Sequence, residues 1–242
     1  MQCLHVISGL GGGGAEGVLY NLCKHDSYGK HIVVSMSGDG VYGSLLRDSN
    51  IDVICLNIRY IPNLLWGAVK LWRVIKSNKP DVIQTWMYHA DLFGGVIARV
   101  AGVRNIFWNV RHTNIDAGTL KFTTIIVAMV CARLSKIIPS KIICCSKAAA
   151  NSHITLGYNQ RKIIIIPNGY DFVKFSPHTE SVLSVRNKVK IDDSIPLIGM
   201  VARFSPEKDH ENLLKALHIL QKEGVRFFCL LIGSGIDVHN NK

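Results

Sequence analysis

Seven short apolar runs recur along the chain, each continuous rather than alternating: Leu4 to Ser8, His31 to Met36, Asp52 to Asn57, Asp81 to Trp86, Asn105 to Val110, Lys141 to Cys145 and Lys162 to Ile166. A strand with water on one face alternates polar and apolar residues, whereas a strand covered on both faces does not need to. Helical periodicity fills the gaps between runs. Ala15, Val18, Leu19 and Leu22 share one helical face, and Leu65, Val69, Trp72 and Ile75 share another. Strand, helix and strand in repetition predict an α/β protein with a doubly wound, Rossmann-like parallel sheet.

The rhythm pauses after Ile166. A turn is expected at Pro167, Asn168, Gly169 and Tyr170, followed by a polar stretch from Ser176 to Ser194. Strand-like runs resume at Leu197 to Val201 and Phe227 to Ile232, with Leu213, Leu214, Leu217 and Leu220 on one helical face between them. The expected organisation is a complete first domain over residues 1–176, a linker over 177–194 and the first part of a second α/β domain over 195–242. Residues 237–242 read as an unstructured tail.

Both ends of the chain carry a turn of the kind that holds phosphate. The first strand runs into Gly9, Leu10, Gly11, Gly12, Gly13 and Gly14 before a helix, which satisfies G-x-G-x-x-G. A tract this rich in glycine matches that pattern easily. The acidic residue that a nicotinamide ribose requires is missing after the second strand, where Ser35, Met36 and Ser37 stand. At the other end, the strand after Leu197 leads to Arg203 and Lys208, two cations placed to meet one diphosphate.

Composition narrows the partners. The 242 residues hold 28 Lys and Arg against 17 Asp and Glu, a net charge of +11. Such a surface favours anions. The cations are dispersed, without the aromatic-interleaved stripe of a nucleic-acid reader, so a phosphorylated ligand or an anionic membrane surface is expected instead. Seven cysteines show no C-x-x-C pair and no zinc spacing, which predicts reduced thiols and no metal. The amino terminus reads as lacking a signal peptide, and the apolar segment from Ile125 to Ala132 is too short to span a bilayer. A cytoplasmic protein, at most peripheral to the inner face of the membrane, is the expectation.

Taken in order, Gly13, Gly14, Ala15 and Glu16, the segment Asp81 to Gly102, Arg111 to Thr113, the Pro167 to Gly169 turn with Asp171 and Phe175, and Arg203 to Lys208 resemble the GT-B glycosyltransferases of family 4. The resemblance implies a retaining enzyme that moves a sugar from a nucleotide sugar to a glycan or lipid-linked acceptor. It implies no cofactor and no obligatory metal, since Arg203 and Lys208 would hold the leaving diphosphate. Gly13, Gly14, Gly233 and Gly235 would lie near the donor, His112 would reach the reacting sugar, and Glu16 and His89 would face the acceptor. Ala202 stands where the family usually has glycine. The family's two-glutamate motif lies beyond Lys242, so the 242 residues alone are expected to be poor catalysts. Three rival readings are an NAD(P)-dependent oxidoreductase, a non-catalytic subunit or remnant, and a nucleotide-sugar epimerase of the same fold.

Overall fold

The computed structural model describes residues 1–58, 60, 62–113, 115, 120–173, 175–177 and 179–236. Arg59 and the tail 237–242 therefore lie outside the described residues. The chain divides into two compact units, Met1–Gly169 and Tyr170–Lys242.

In the first unit, β1 (Gln2–Ile7), β2 (Lys30–Ser35), β3 (Asp52–Cys55), β4 (Val82–Trp86), β5 (Ile106–Val110), β6 (Lys141–Cys144) and β7 (Ile163–Ile165) form one sheet. All neighbours pair in parallel, in the order β3-β2-β1-β4-β5-β6-β7. Every run expected as a strand is one, with ends shifted by at most two residues, because both faces are covered as the continuous apolar pattern requires.

One face carries α1 (Gly14–His25) and α2 (Gly40–Asp48), whose Leu19, Cys23 and Leu46 pack with Ile7, Val33 and Trp86. The other carries α3 (Pro62–Asn78), α4 (Tyr88–Val100), α5 (Phe122–Leu134) and α6 (Lys147–Leu156). Their buried side chains join Leu4, Val6, Ile32, Ile83 and Trp108 in the larger core. Helix α4 lies very close to the sheet at Gly95, where a Cβ would stand 2.6 Å from Trp108 Nε1. Any larger residue there would push α4 off the strands.

The face expected on α3 is corrected by the structure. Gly67, Leu71 and Ile75 are buried, while Leu65 and Trp72 are exposed. Reading the pattern by bulk favoured the large residues, but the helix seats its glycine against Ile58. The apolar stretch in residues 122–141 is helix α5 packed beside α4, with Ala128, Cys131 and Ala132 buried.

In the second unit, β8 (Leu197–Val201) and β9 (Phe228–Ile232) pair in parallel, and α8 (His210–Lys222) lies between them in the chain. Within the expected linker over 177–194, α7 (Thr179–Val189) occupies most of the span, and the first compact unit ends at Gly169. The polar composition hid the helix. Its end is tied by Arg186, whose guanidinium donates to the carbonyls of Asp192 and Ile195 at 3.1 and 3.0 Å.

A buried polar chain runs through the core from Trp86, at the carboxyl end of β4, toward the amino-terminal ends of β1 and β2. The Trp86 indole N–H donates to His5 Nδ1 at 3.3 Å, which fixes the proton on His5 Nε2. That proton faces His31 Nδ1 at 3.0 Å, and His31 Nε2 faces Asp26 Oδ2 at 3.2 Å. Burial lowers His5 from 6.5 to about 3, with His31 adding to the effect. The unfolded chain therefore takes up a proton between pH 6.5 and 3 that the native state refuses. Stability from this group is complete above pH 6.5 and is lost as pH falls, by up to about 1.4 kcal/mol per unit.

Asp91 works in the opposite sense, because burial raises its carboxyl well above the ordinary value. A comparison with His5→Gln isolates the histidine. Glutamine can accept from Trp86 and donate to His31, so the variant is expected to be less stable at pH 7 by about 1–3 kcal/mol. Its deficit should shrink in urea titrations as pH drops toward 4.5, and a constant deficit would contradict a neutral buried His5.

Candidate active site

The sheet order reverses between β1 and β4, so the helices that follow these two neighbouring strands leave on opposite faces. A crevice at the carboxyl ends of such strands is where open α/β sheets bind ligands. Met87 makes the turn out of β4 at φ 70° and ψ 156°, a region that is nearly exclusive to glycine. Two backbone bonds hold it: Met87 N–H to Asn109 O at 3.1 Å and Asp91 N–H to Met87 O at 2.9 Å. The strained turn directs Tyr88 into the core and leaves His89 exposed. Partial desolvation still lowers the His89 imidazole below its ordinary value. Nothing in the sequence marked Met87.

His112, at the end of β5, stacks on Tyr88 with ring centroids 5.5 Å apart and planes at 20°. Tyr88 is in turn fixed from below. His153 Nδ1 lies 2.6 Å from the carbonyl of Ala149 and must donate to it, so Nε2 accepts from the Tyr88 hydroxyl at 2.9 Å. Burial lowers His153 and raises Tyr88, which keeps both neutral. The Tyr88–His153 bond beneath His112 joins residues 65 positions apart, which is why the sequence reading missed it.

Arg111 stands beside His112. Its guanidinium lies 4.8 Å above the Trp86 ring and donates through Nη1 to Asn168 Oδ1. Desolvation lowers its pKa from the ordinary arginine value. Two of the segments singled out in the sequence, the one after β5 and the Pro167 to Gly169 turn, are thus joined by a single bond. Arg111 Nε is buried without a hydrogen-bond partner among the described residues, so the guanidinium keeps unused donor capacity at the strand ends.

Gly13 is the cap of α1, Gly14 is its first residue, and Glu16 follows in the first turn. A Cβ on Gly13 would lie 2.5 Å from Glu16 Oε2, so the carboxylate folds back over the helix end. Its charge already complements the positive end of the helix dipole. A phosphate at Gly13 and Gly14 would meet that carboxylate, whereas sugar hydroxyls could donate to it. The geometry therefore suits the acceptor-side role expected of Glu16 better than the phosphate role expected of the two glycines.

The second unit holds the other expected residues. Arg203 lies two positions past β8, is exposed, and pairs with Glu207 Oε1 at 2.5 Å. The Glu207 carboxyl is held below its ordinary value by its own backbone N–H first and by Arg203 second. Lys208 ends the short 3-10 turn Pro206–Lys208 and is exposed. Gly233 is required by contact: a Cβ there would stand 1.9 Å from the carbonyl oxygen of Ala202. It lets the ends of β8 and β9 close up, with Phe204 N–H donating to Ser234 O at 2.9 Å. Gly235 has φ +76°, which the same turn needs. His210, at the start of α8, is buried against Phe204 with both ring nitrogens unpartnered among the described residues.

Cys3, His5 and His31 bring three candidate metal-ligand atoms within 4.8 Å of one another. Sequence spacing concealed this group, and the register pairing Cys3 with His31 creates it. It lies at the opposite ends of the strands from the crevice. Its ring nitrogens are spent in the chain from Trp86 to Asp26, and burial pushes the Cys3 thiol up to about 12.

The chain is similar to several known proteins. EpsF of Bacillus subtilis strain 168, described as a glycosyltransferase, is 25% identical over 257 residues, covering 97% of this chain and 62% of that protein. The UDP-Gal:alpha-D-GlcNAc-diphosphoundecaprenol alpha-1,3-galactosyltransferase of Escherichia coli is 23% identical over 160 residues, 66% of this chain and 41% of that protein. The chain thus spans less than two thirds of the length of these curated relatives. The crystal structure of Anabaena Alr3699/HepE in complex with UDP-glucose superposes with a TM-score of 0.75 at 18% identity, covering 97% of this chain and 69% of that one, and shows the shared GT-B fold. The sequence profile of Glycosyltransferase Family 4 matches residues 12–174, more than half of the 242, and the chain belongs to that family.

Proposed function

We propose that the full-length protein transfers a sugar from a UDP-sugar donor to a lipid-linked or glycan acceptor, with retention, during assembly of a cell-surface polysaccharide. The observation that carries this reading is the cluster of Arg111, His112 and Tyr88 at the strand ends of a chain from this family. In the reaction, the bond from the anomeric carbon to the diphosphate breaks, and a bond to an acceptor hydroxyl forms on the same face of the sugar. The hydroxyl proton passes to the departing diphosphate. Arg203 and Lys208 neutralise the charge that grows on that group, which lowers the barrier without a cofactor. His112 contacts the sugar, and Glu16 and His89 orient the acceptor.

The relatives supply the choice of ligands: one acts on a diphosphoundecaprenol-linked sugar, and one was crystallised with UDP-glucose. The test follows radiolabel from UDP-glucose, UDP-galactose and UDP-N-acetylglucosamine into a polyprenyl-diphosphate-sugar acceptor, using the full-length protein. Label in the lipid product is the expected result. Saturable NAD binding with neither transfer nor hydrolysis of any UDP-sugar would overturn the proposal.

A further inference from the structure

Arg111 is a charge held in place without a counter-charge. Trp86 is fully buried, and the bond from its indole N–H to His5 Nδ1 at 3.3 Å stops the ring from turning. The Arg111 guanidinium lies 4.8 Å over the face of that fixed ring, and its Nη1 donates to Asn168 Oδ1. A face and an edge of the guanidinium are thus both restrained, so little freedom remains to be lost when a ligand arrives. The residue stands one position past β5, at the carboxyl end of the sheet, next to His112.

No carboxylate neutralises it. Among the described residues no ion pair includes Arg111, and the ionisable groups that act on it are the thiols of Cys145 and Cys144. Glu16 turns back over Gly13 instead. From residue 92 to residue 170 the only carboxylate in the sequence is Asp116, which lies outside the described residues. A guanidinium drawn out of water without a counter-ion is destabilising. A simple remedy is at hand, because aspartate at position 168 would have nearly the shape of asparagine and would meet Nη1 as a half-buried ion pair. The chain satisfies the hydrogen bond with a neutral amide and leaves the charge uncompensated.

From this geometry we infer that Arg111 binds a phosphate oxygen of the substrate, with Trp86 and Asn168 as its positioning residues. The inference rests on the transfer reading only for the two sources of that group, the diphosphate of the donor and the diphosphate of a lipid-linked acceptor. A neutral partner on Nη1 keeps the full unit charge for the ligand, whereas a carboxylate there would cancel it. The planar guanidinium also suits phosphate, since it can hold Asn168 with one N–H while others remain for the anion. Glu16 opposes phosphate at the helix end beside Gly13 and Gly14, so Arg111 supplies the cationic contact in the first unit that the glycine turn does not.

Calorimetric titration of the full-length protein with inorganic pyrophosphate tests it. A background of Arg203→Ala with Lys208→Ala removes the other cations assigned to a diphosphate. Binding is expected to persist in that background, and adding Arg111→Gln, whose amide can still donate to Asn168, should weaken it at least about tenfold. Asn168→Asp distinguishes a ligand site from a structural tie. It should raise the urea midpoint and weaken pyrophosphate binding at least about tenfold, because the new carboxylate occupies the guanidinium. With Arg203 and Lys208 intact, a higher KM of Arg111→Gln for the UDP-sugar assigns the donor diphosphate, and a higher KM for the polyprenyl-diphosphate-sugar assigns that of the acceptor. A parent that transfers no sugar defeats the transfer reading alone, since the titration needs no turnover. Loss of all binding in the background, undiminished affinity in Arg111→Gln, or a stabilised Asn168→Asp that binds as tightly as the parent would overturn the inference. So would a urea midpoint that Asp116→Asn lowers only when Arg111 is present, which would make Asp116 the counter-ion.

Discussion

Replacing Arg203 with alanine is expected to lower kcat/KM for sugar transfer by about two to three orders of magnitude, and Lys208→Ala should do the same. Preorganised cations act where negative charge develops, on the diphosphate oxygen released as the glycosidic bond breaks. Their removal raises the barrier while leaving the fold intact. Arg203 is 66% exposed and its ion pair with Glu207 lies at the surface, a class of interaction that contributes about 1 kcal/mol or less. The urea midpoint of either variant should therefore match the parent. Glu207→Gln gives a contrast, because it frees Arg203 from a competing carboxylate and should not reduce transfer. Parental rates in both Arg203→Ala and Lys208→Ala, measured in the full-length protein with saturating acceptor, would remove these cations from the mechanism.

His112→Ala is expected to reduce kcat by about a hundredfold. His112 stacks on Tyr88, so its removal uncovers a face of that ring. Tyr88→Phe separates position from contact. The phenyl ring keeps the stacking surface, but His153 Nε2 loses its donor inside a buried pocket, at a cost of about 1–3 kcal/mol in stability. A loosened ring would lower kcat by a smaller factor than the loss of His112 itself. If Tyr88→Phe unfolds earlier in urea yet turns over as fast as the parent, the Tyr88–His153 pair supports the fold alone and does not position His112.

The strands were legible because burial on both faces leaves an unmistakable trace. Leu197–Val201 was bounded from the sequence at the same residues that the structure uses, and β4 and β5 begin one residue later than expected. Helical faces were less legible. In α3 the eye goes to the large residues, yet Gly67 packs against Ile58 and the tryptophans stay in solvent. Helix α7 was hidden by its polar flanks, although Val182, Val185 and Val189 recur in it at helical spacing.

The candidate site divides in the same way. Residues that follow a strand in the chain, such as His112 and Arg203, could be picked out, since strand ends are where such folds gather chemistry. Partnerships across the sheet could not. His153 on α6 touches Tyr88 at the start of α4 across 65 positions, and Asn168 meets Arg111 across 57. Glu16 was assigned to the acceptor side without any hint that it folds over Gly13, a backbone-level contact that leaves no periodicity. Nor could composition reveal that Met87 occupies a conformation that methionine avoids.

All seven sulfhydryls of the chain are free, and they are unevenly distributed. Cys3, Cys23, Cys131 and Cys144 are sealed in the first unit, while Cys229 is the sole cysteine of the second and is partly accessible. Alkylation followed by mass spectrometry would therefore separate two classes of thiol. Modification at position 229 needs no unfolding, and modification at positions 131 and 144 times the rarer event in which the seven-stranded sheet comes apart.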